Sequence, residues 1–193
     1  ACVQICPKQC ISFDEDEEGF RYPVVNKKNC VNCHLCESIC PIINQFDKVS
    51  PHIVYAAKNK NEQERLDSSS GGLFIAMAKK SIEKEGIVFG AVFDDDFGGV
   101  HHTYAATIED VIPMMRSKYV QSRIEHSFCD CEKFLKEDKL VLFTGTSCQV
   151  AGLLHFLKKP YENLITVDVI CHGVPSPKVW RRYLEEEDKT AFR

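Results

Sequence analysis

Seven of the eleven cysteines in this chain of 193 residues fall within its first forty: Cys2, Cys6, Cys10, Cys30, Cys33, Cys36 and Cys40. Cys30, Cys33, Cys36, Cys40 and Pro41 follow the spacing C-x-x-C-x-x-C-x-x-x-C-P. Three thiolates at three-residue intervals can each reach a different iron of a 4Fe-4S cubane, and the fourth ligates the neighbouring cluster. Cys2, Cys6 and Pro7 repeat the end of the same pattern. The crossed arrangement makes Cys30, Cys33, Cys36 and Cys6 the ligands of one cluster. It assigns Cys2 and Cys40 to a second, whose other ligands are expected upstream of Ala1. Zinc is the competing metal, since C-x-x-C pairs also bind it tetrahedrally, but zinc needs neither a third evenly spaced thiolate nor a repeated C-P. Cys10 reads as a buried thiol packed beside a cluster, with service as a substitute ligand the alternative. His34 reads as a surface or hydrogen-bonding residue.

The same spacing is that of bacterial ferredoxins. A secreted disulfide scaffold can also be rich in cysteine, but such chains are short and follow a signal peptide, and no charged n-region with an apolar h-region opens this one. An odd cysteine count leaves one thiol unpaired. These features point to a reducing, cytoplasmic compartment. The 24 Lys and Arg against 28 Asp and Glu give a formal charge of -4, which supplies no attraction to nucleic acid or anionic lipid. No run of eighteen apolar residues offers a membrane span.

The elements that must position this chemistry divide in two. Residues 1–45, with an acidic turn-rich stretch from Asp14 to Gly19 and with Pro7, Pro23 and Pro41, form a small loop-dominated ferredoxin-like 4Fe-4S module. Residues 46–193 form an α/β domain with a mixed sheet, its pattern of apolar runs alternating with amphipathic segments starting at His52. The expected strands are Ile53–Ala57, Ile87–Phe93, Val100–Ala106, Leu140–Thr144 and Leu164–Ile170. The expected helices are Gly72–Glu85, Ser127–Lys136, Cys148–Lys158 and Pro177–Glu186, the first stopped by Gly86. The chain begins at Ala1 without Met and ends inside a helical pattern around Tyr183 to Asp188, so it is expected to be a piece of a longer protein.

A cubane passes one electron at a time, so two-electron chemistry on an organic molecule needs a second centre. Leu140 to Gln149 reads as a buried strand entering a Gly and Thr turn and then a helix, which aims backbone N–H groups at an anion above the strand's carboxyl end. It is neither a Walker motif nor G-x-G-x-x-G, and taken alone it reads first as an ordinary strand-to-helix turn. Ser68, Ser69, Ser70, Gly71 and Gly72 precede another helix, and Cys171, His172 and Gly173 follow another strand. All three would gather at one sheet edge, where open α/β sheets bind ligands. Cys148, at a helix start, is either a redox thiol or a pocket-lining residue. Cys171 and His172 either deliver protons or cap a turn. Cys129 and Cys131 read as structural. His101 and His102 point to opposite faces of a strand and cannot share a metal.

Four segments carry a resemblance: SSSGG (Ser68 to Gly72), SKYVQS (Ser117 to Ser122), LFTGTSCQVAGL (Leu142 to Leu153) and VDVICHGVPSP (Val167 to Pro177). Behind the cysteine module and in this order, they resemble the coenzyme F420 hydrogenase and dehydrogenase beta subunits, a family of iron-sulfur flavoproteins. Ser147 stands where the family usually has proline. The resemblance implies FAD beside the clusters. It implies electron exchange with a ferredoxin-type carrier or partner redox subunit, and a small organic acceptor, which is a deazaflavin coenzyme in methanogens and a chlorophyll derivative in plants. It also implies that Ser68, Ser69, Ser70, Gly71, Gly72, Lys118, Gln121, Ser122, Thr146, Cys148 and Gln149 line the flavin pocket. Lys118 there either neutralises phosphate or reduced-flavin charge or is simply solvated, and Tyr119 either stacks on a ring or packs in the core. The expected function is thus an oxidoreductase relaying electrons from clusters to FAD and an acceptor. The rivals are a non-catalytic electron-transfer subunit docking a larger enzyme, and clusters that serve only as folding staples.

Overall fold

The computed structural model describes residues 1–46, 51 and 53–187. His52 and Asp188, which marked the expected start of the α/β pattern and the end of the last helix, lie outside the described residues. The amino-terminal module contains a one-turn helix α1 (Cys2–Ile5), a hairpin of β1 (Ile11–Glu15) and β2 (Arg21–Val25), and a second one-turn helix α2 (Leu35–Ser38). The Asp16 carboxylate shapes the hairpin turn by accepting from the Glu18 and Phe20 backbone N–H groups, at 3.0 and 2.9 Å. Cys2 lies at the start of α1 and Cys36 inside α2, while Cys6, Cys10, Cys30, Cys33 and Cys40 lie in the loops between or beside these elements.

The second unit runs α3 (Glu62–Leu66), α4 (Leu73–Ile82), β3 (Ile87–Phe93), β4 (Val100–Ala105), α5 (Ile108–Val111) and a 3-10 turn (Ile112–Met114). It continues with β5 (Ser122–Arg123), α6 (Ser127–Lys136), β6 (Val141–Thr146), α7 (Ser147–Leu157), β7 (Leu164–Val169) and α8 (Pro177–Glu186). The sheet is mixed, in the order β5-β4-β3-β6-β7. β3 is antiparallel to β4 and parallel to β6, and β6 is parallel to β7.

β3 and β6 are buried on both faces through their first four residues, as central strands must be. Alternation sends Phe89 and Phe143 to one face, where they pack with Phe128 and Leu135 of α6 and Leu153 and Phe156 of α7. Val88 and Leu142 go to the other, against Ile75 and Ala78 of α4, Val111 of α5 and Met114. Ile39 is buried in the first of these cores, with Ala1 and Ile5 packed against it, so the module shares its core with the α/β domain.

Ile53 to Ala57 is not a strand: Ile53, Val54 and Tyr55 are 65%, 84% and 79% exposed and pair with no neighbour. An apolar run becomes a strand only when another strand accepts its backbone groups. β1, β2 and β5 were not expected. The α4 stop also differs in detail. Glu85, not Gly86, takes the left-handed conformation (φ 55°). Gly86 is required for room instead, since a Cβ there would stand 2.7 Å from the Ser81 carbonyl oxygen and 2.8 Å from that of Leu140.

Candidate functional site

In the cysteine module, Cys6, Cys10, Cys30, Cys33 and Cys36 all line one recess, with Ile11 and Val25 beside them, and Cys10 is the buried one of the five. Four of these five are the residues that the crossed spacing brings together. Among the described residues no three His, Cys, Asp or Glu side chains are grouped as for a single metal ion. Cys10 is buried, yet its sulfur stands 3.4 Å from that of Cys6. The shared hydrogen bond and burial push the Cys10 thiol up to about 11. The Cys10 backbone N–H, which donates toward Cys6, lowers the Cys6 thiol and favours the thiolate that a metal needs. Cys2 and Cys40 lie outside the recess, and both, with Cys129, act on the Ala1 amine. The thiolates on the recess side suffice in number for a cubane, while Cys2 and Cys40 on the Ala1 side are two of the four that a second would need.

Several polar contacts seat this module on the α/β domain. The Gln4 side chain accepts from the Cys129 backbone N–H at 3.0 Å, joining α1 to α6. The hairpin meets α8 through the Arg181 fork on Glu15, at 3.2 and 2.8 Å, and through Ser176, whose hydroxyl donates to the Glu18 carbonyl at 2.7 Å.

In the α/β domain, chain direction places the carboxyl ends of β3, β6 and β7 on one edge, with the starts of α4, α7 and α8 beside them. The chain builds outward from β3 to β4 and β5, then returns to add β6 and β7 on the other side. That reversal falls between β3 and β6, the topological position at which such sheets hold ligands. At the β6–α7 turn, Thr146 caps α7 and Gln149 returns the bond, its side-chain oxygen accepting from the Thr146 N–H at 2.9 Å. The Gln149 amide also donates to the Ser122 hydroxyl at 2.7 Å.

Ser122 in turn lies 3.0 Å from Nδ1 of His102, whose Nε2 lies 3.0 Å from the Thr144 carbonyl. A carbonyl can only accept, so Nε2 carries the hydrogen and Nδ1 accepts from Ser122. Burial, far more than neighbouring His101, lowers His102 to about 4 and keeps it neutral. His102 is thus the residue that links β4, β5 and β6, a role the sequence did not disclose. The one available signal was the opposite facing of His101 and His102, which the structure bears out: His102 is buried, and His101 reaches Asp94 at 2.7 Å. Asp168 was also missed; it accepts from the Ser147 hydroxyl at 2.7 Å and fastens the start of α7 to β7.

The Ser68 to Gly72 loop reaches the same edge. The Ser69 hydroxyl accepts from the Ser117 N–H at 2.7 Å, and Arg116 Nε donates to the Asp67 carbonyl at 2.9 Å. Gly72 has φ +70°, and a Cβ on it would meet Asn59 and Arg65 at 3.1 and 3.2 Å. Lys118 donates to the Met115 and Arg116 carbonyls at 2.8 and 3.4 Å and stands 5.9 Å over the Phe93 ring. Among the described residues no carboxylate pairs with it. Cys148 is exposed, its sulfur 3.2 Å from the Thr146 hydroxyl. Cys171, His172, Gln121 and Tyr119 are exposed, so Tyr119 does not pack in the core. Cys131 is buried, in line with a structural role.

Burial lowers the Lys118 ammonium from its ordinary 10.5 to about 8. Between these values the unfolded chain holds a proton that the folded chain has released, so this residue makes stability rise with pH from about 8 to 10.5. Lys118→Met is therefore expected to stabilise the fold at pH 7 and to lose most of that gain by pH 10.5, read from urea midpoints. Equal gains at both pH values would contradict a desolvated ammonium.

A family model described as a 4Fe-4S dicluster domain matches residues 1–42. Another, the C terminus of the coenzyme F420 hydrogenase/dehydrogenase beta subunit, matches residues 138–192. Among curated proteins, a ferredoxin of Saccharopolyspora erythraea is 28% identical over 86 residues, 43% of this chain and 76% of that protein. Ferredoxin-1 of Caulobacter vibrioides is 37% identical over 41 residues, 21% of this chain and 32% of that protein. Among solved structures, the F420-reducing NiFe hydrogenase complex of Methanosarcina barkeri contains a chain with the same fold. Its TM-score is 0.54 at 17% identity, over 69% of this chain and half (50%) of that one. A 4Fe-4S ferredoxin-like module joined to a mixed-sheet α/β domain is therefore the class that fold and site define. Within that class, residues 138–192 are similar to the C terminus of the coenzyme F420 hydrogenase/dehydrogenase beta subunit.

Proposed function

We propose that this chain is the electron-conducting part of a cytoplasmic iron-sulfur flavoprotein oxidoreductase. Cys30, Cys33, Cys36 and Cys6 hold one 4Fe-4S cluster, Cys2 and Cys40 contribute to a second, and the carboxyl edge of the sheet holds FAD. The observation that carries the reading is the shared recess of Cys6, Cys30, Cys33 and Cys36, on a module whose Ile39 is buried in the core of the α/β domain. A module seated this way keeps a fixed distance to the sheet edge. Bound clusters supply single electrons, and a bound flavin pairs them for transfer to an organic acceptor.

The chain's own residues do the rest. Lys118 offers an ammonium without a carboxylate partner to the cofactor's anionic part. Thr146 and the start of α7 present backbone N–H groups at the sheet edge. His102, Ser122 and Gln149 hold that turn in place, and they do so by bonding to each other, leaving Thr146, Cys148 and the Ser68 to Gly72 loop to meet the ligand. Exposed Cys171 and His172 stand where protons from solvent could be delivered. The partners are a ferredoxin-type donor or partner redox subunit and a small organic acceptor.

Anaerobic purification of the full protein with iron, sulfide and flavin quantification tests the reading. Iron and sulfide with about one flavin per chain, the stoichiometry of one cofactor site, are the expected result. Iron and sulfide without flavin would leave a non-catalytic electron-transfer subunit, and absence of all three would sink both readings.

A further inference from the structure

On the α4 side of the sheet lies an open groove of about 400 Å³, in the range of small-molecule sites. Ile75, Ile108, Ile112 and Met115 give it an apolar wall, and Ile112 is left 56% exposed there. Its charges are unevenly spent. Glu64 is paired with Lys79 and also accepts from Asn59 at 2.7 Å and Asn61 at 2.9 Å, so its charge is consumed within the protein. Its carboxyl is accordingly held below the usual range, Lys79 being the first cause. Asp67 takes a bond from Gln63 at 3.1 Å.

Arg116 differs from these. Only its Nε is engaged, with the Asp67 carbonyl, and among the described residues its two terminal amino groups have no partner. The bond to Asp67 fixes the guanidinium at the groove with its two remaining donors open, a geometry suited to a carboxylate, sulfonate or phosphate.

We propose that this groove binds a small amphiphilic anion, its apolar body on Ile108, Ile112 and Met115 and its acidic group on the Arg116 fork. None of the residues lining the groove is among those assigned to flavin. The two sites are mechanically tied, because Arg116 and Ser117 hold the loop that carries Ser69. A ligand here would favour one arrangement of that loop, and a ligand at the sheet edge would reciprocally alter affinity at the groove.

Two fluorescent probes that share an apolar body and differ in charge test the proposal on the full-length protein: anilinonaphthalene sulfonate and uncharged phenylnaphthylamine. The sulfonate should bind saturably at one site per chain. Arg116→Gln should weaken it by roughly tenfold, the usual size of a charge-assisted contact, and Arg116→Lys by less. Neither change should alter phenylnaphthylamine binding. Ile112→Ser should weaken both probes. Unaltered iron-sulfur absorbance and far-UV circular dichroism establish that each variant is folded. Sulfonate affinity unchanged in Arg116→Gln, an equal response of both probes to that substitution, or many weak sites in place of one would overturn the proposal.

Discussion

Cys33→Ser is expected to remove one 4Fe-4S cluster outright, with loss of roughly half the iron and sulfide of a two-cluster protein, since a cubane that loses one of four thiolates loses most of its hold. Cys33 is exposed on the rim of the recess and belongs to neither core, so the sheet and its helices should remain folded. Iron, sulfide and broad visible absorption should fall together while the far-UV signal stays. Cys40→Ser should instead deplete the cluster on the Ala1 side. Cys10→Ser should keep its iron, because the ligand spacing is complete without Cys10. Unchanged iron and sulfide in Cys33→Ser would end the ligand assignment, and depletion in Cys10→Ser would move Cys10 among the ligands.

Phe143→Ala carries the largest expected effect on stability, about 3–5 kcal/mol, a sizeable share of the 5–15 kcal/mol that keeps a typical domain folded. Phe143 has no exposed surface. Its ring lies 5.6 Å from that of Phe89, 6.0 Å from Phe128 and 5.7 Å from His102, so truncation opens a cavity where both central strands meet α6. Ile39 of the cysteine module is buried in the same core. The variant should therefore lose cluster absorbance and far-UV signal in one transition at lower denaturant. If absorbance outlasted the helical signal, the module would be an independent unit and the shared core would carry no coupling.

The parts of this molecule that were legible in the sequence are those whose cause is local. Cysteine spacing is one, because a cubane's reach is set by a few residues of chain. Ser127–Lys136 and Pro177–Glu186 are another: both helices have the bounds their amphipathic patterns predict, and Ser176 caps the second by accepting from the Val179 N–H. Ile87–Phe93 is a strand as expected, since an apolar run between Gly86 and an acidic turn has few other uses. The same kind of run failed at Ile53 to Ala57, where apolar character was present but a pairing strand was not. β5, two residues long, had no pattern to show and exists because β4 offers an edge.

The candidate sites divide along the same line. Sequence alone marked the thiols proposed to share a cluster and showed that glycine and hydroxyl residues precede three helices. Only the tertiary structure decided that His102, 20 residues before Ser122 and 42 before Thr144, fastens three strands around one turn. It also decided that Arg116 faces a groove with two donors unspent, and that Ile39 seats the cysteine module in the sheet's own core. Each of these depends on groups distant along the chain meeting in space, and no pattern within a short window records which distant group will arrive.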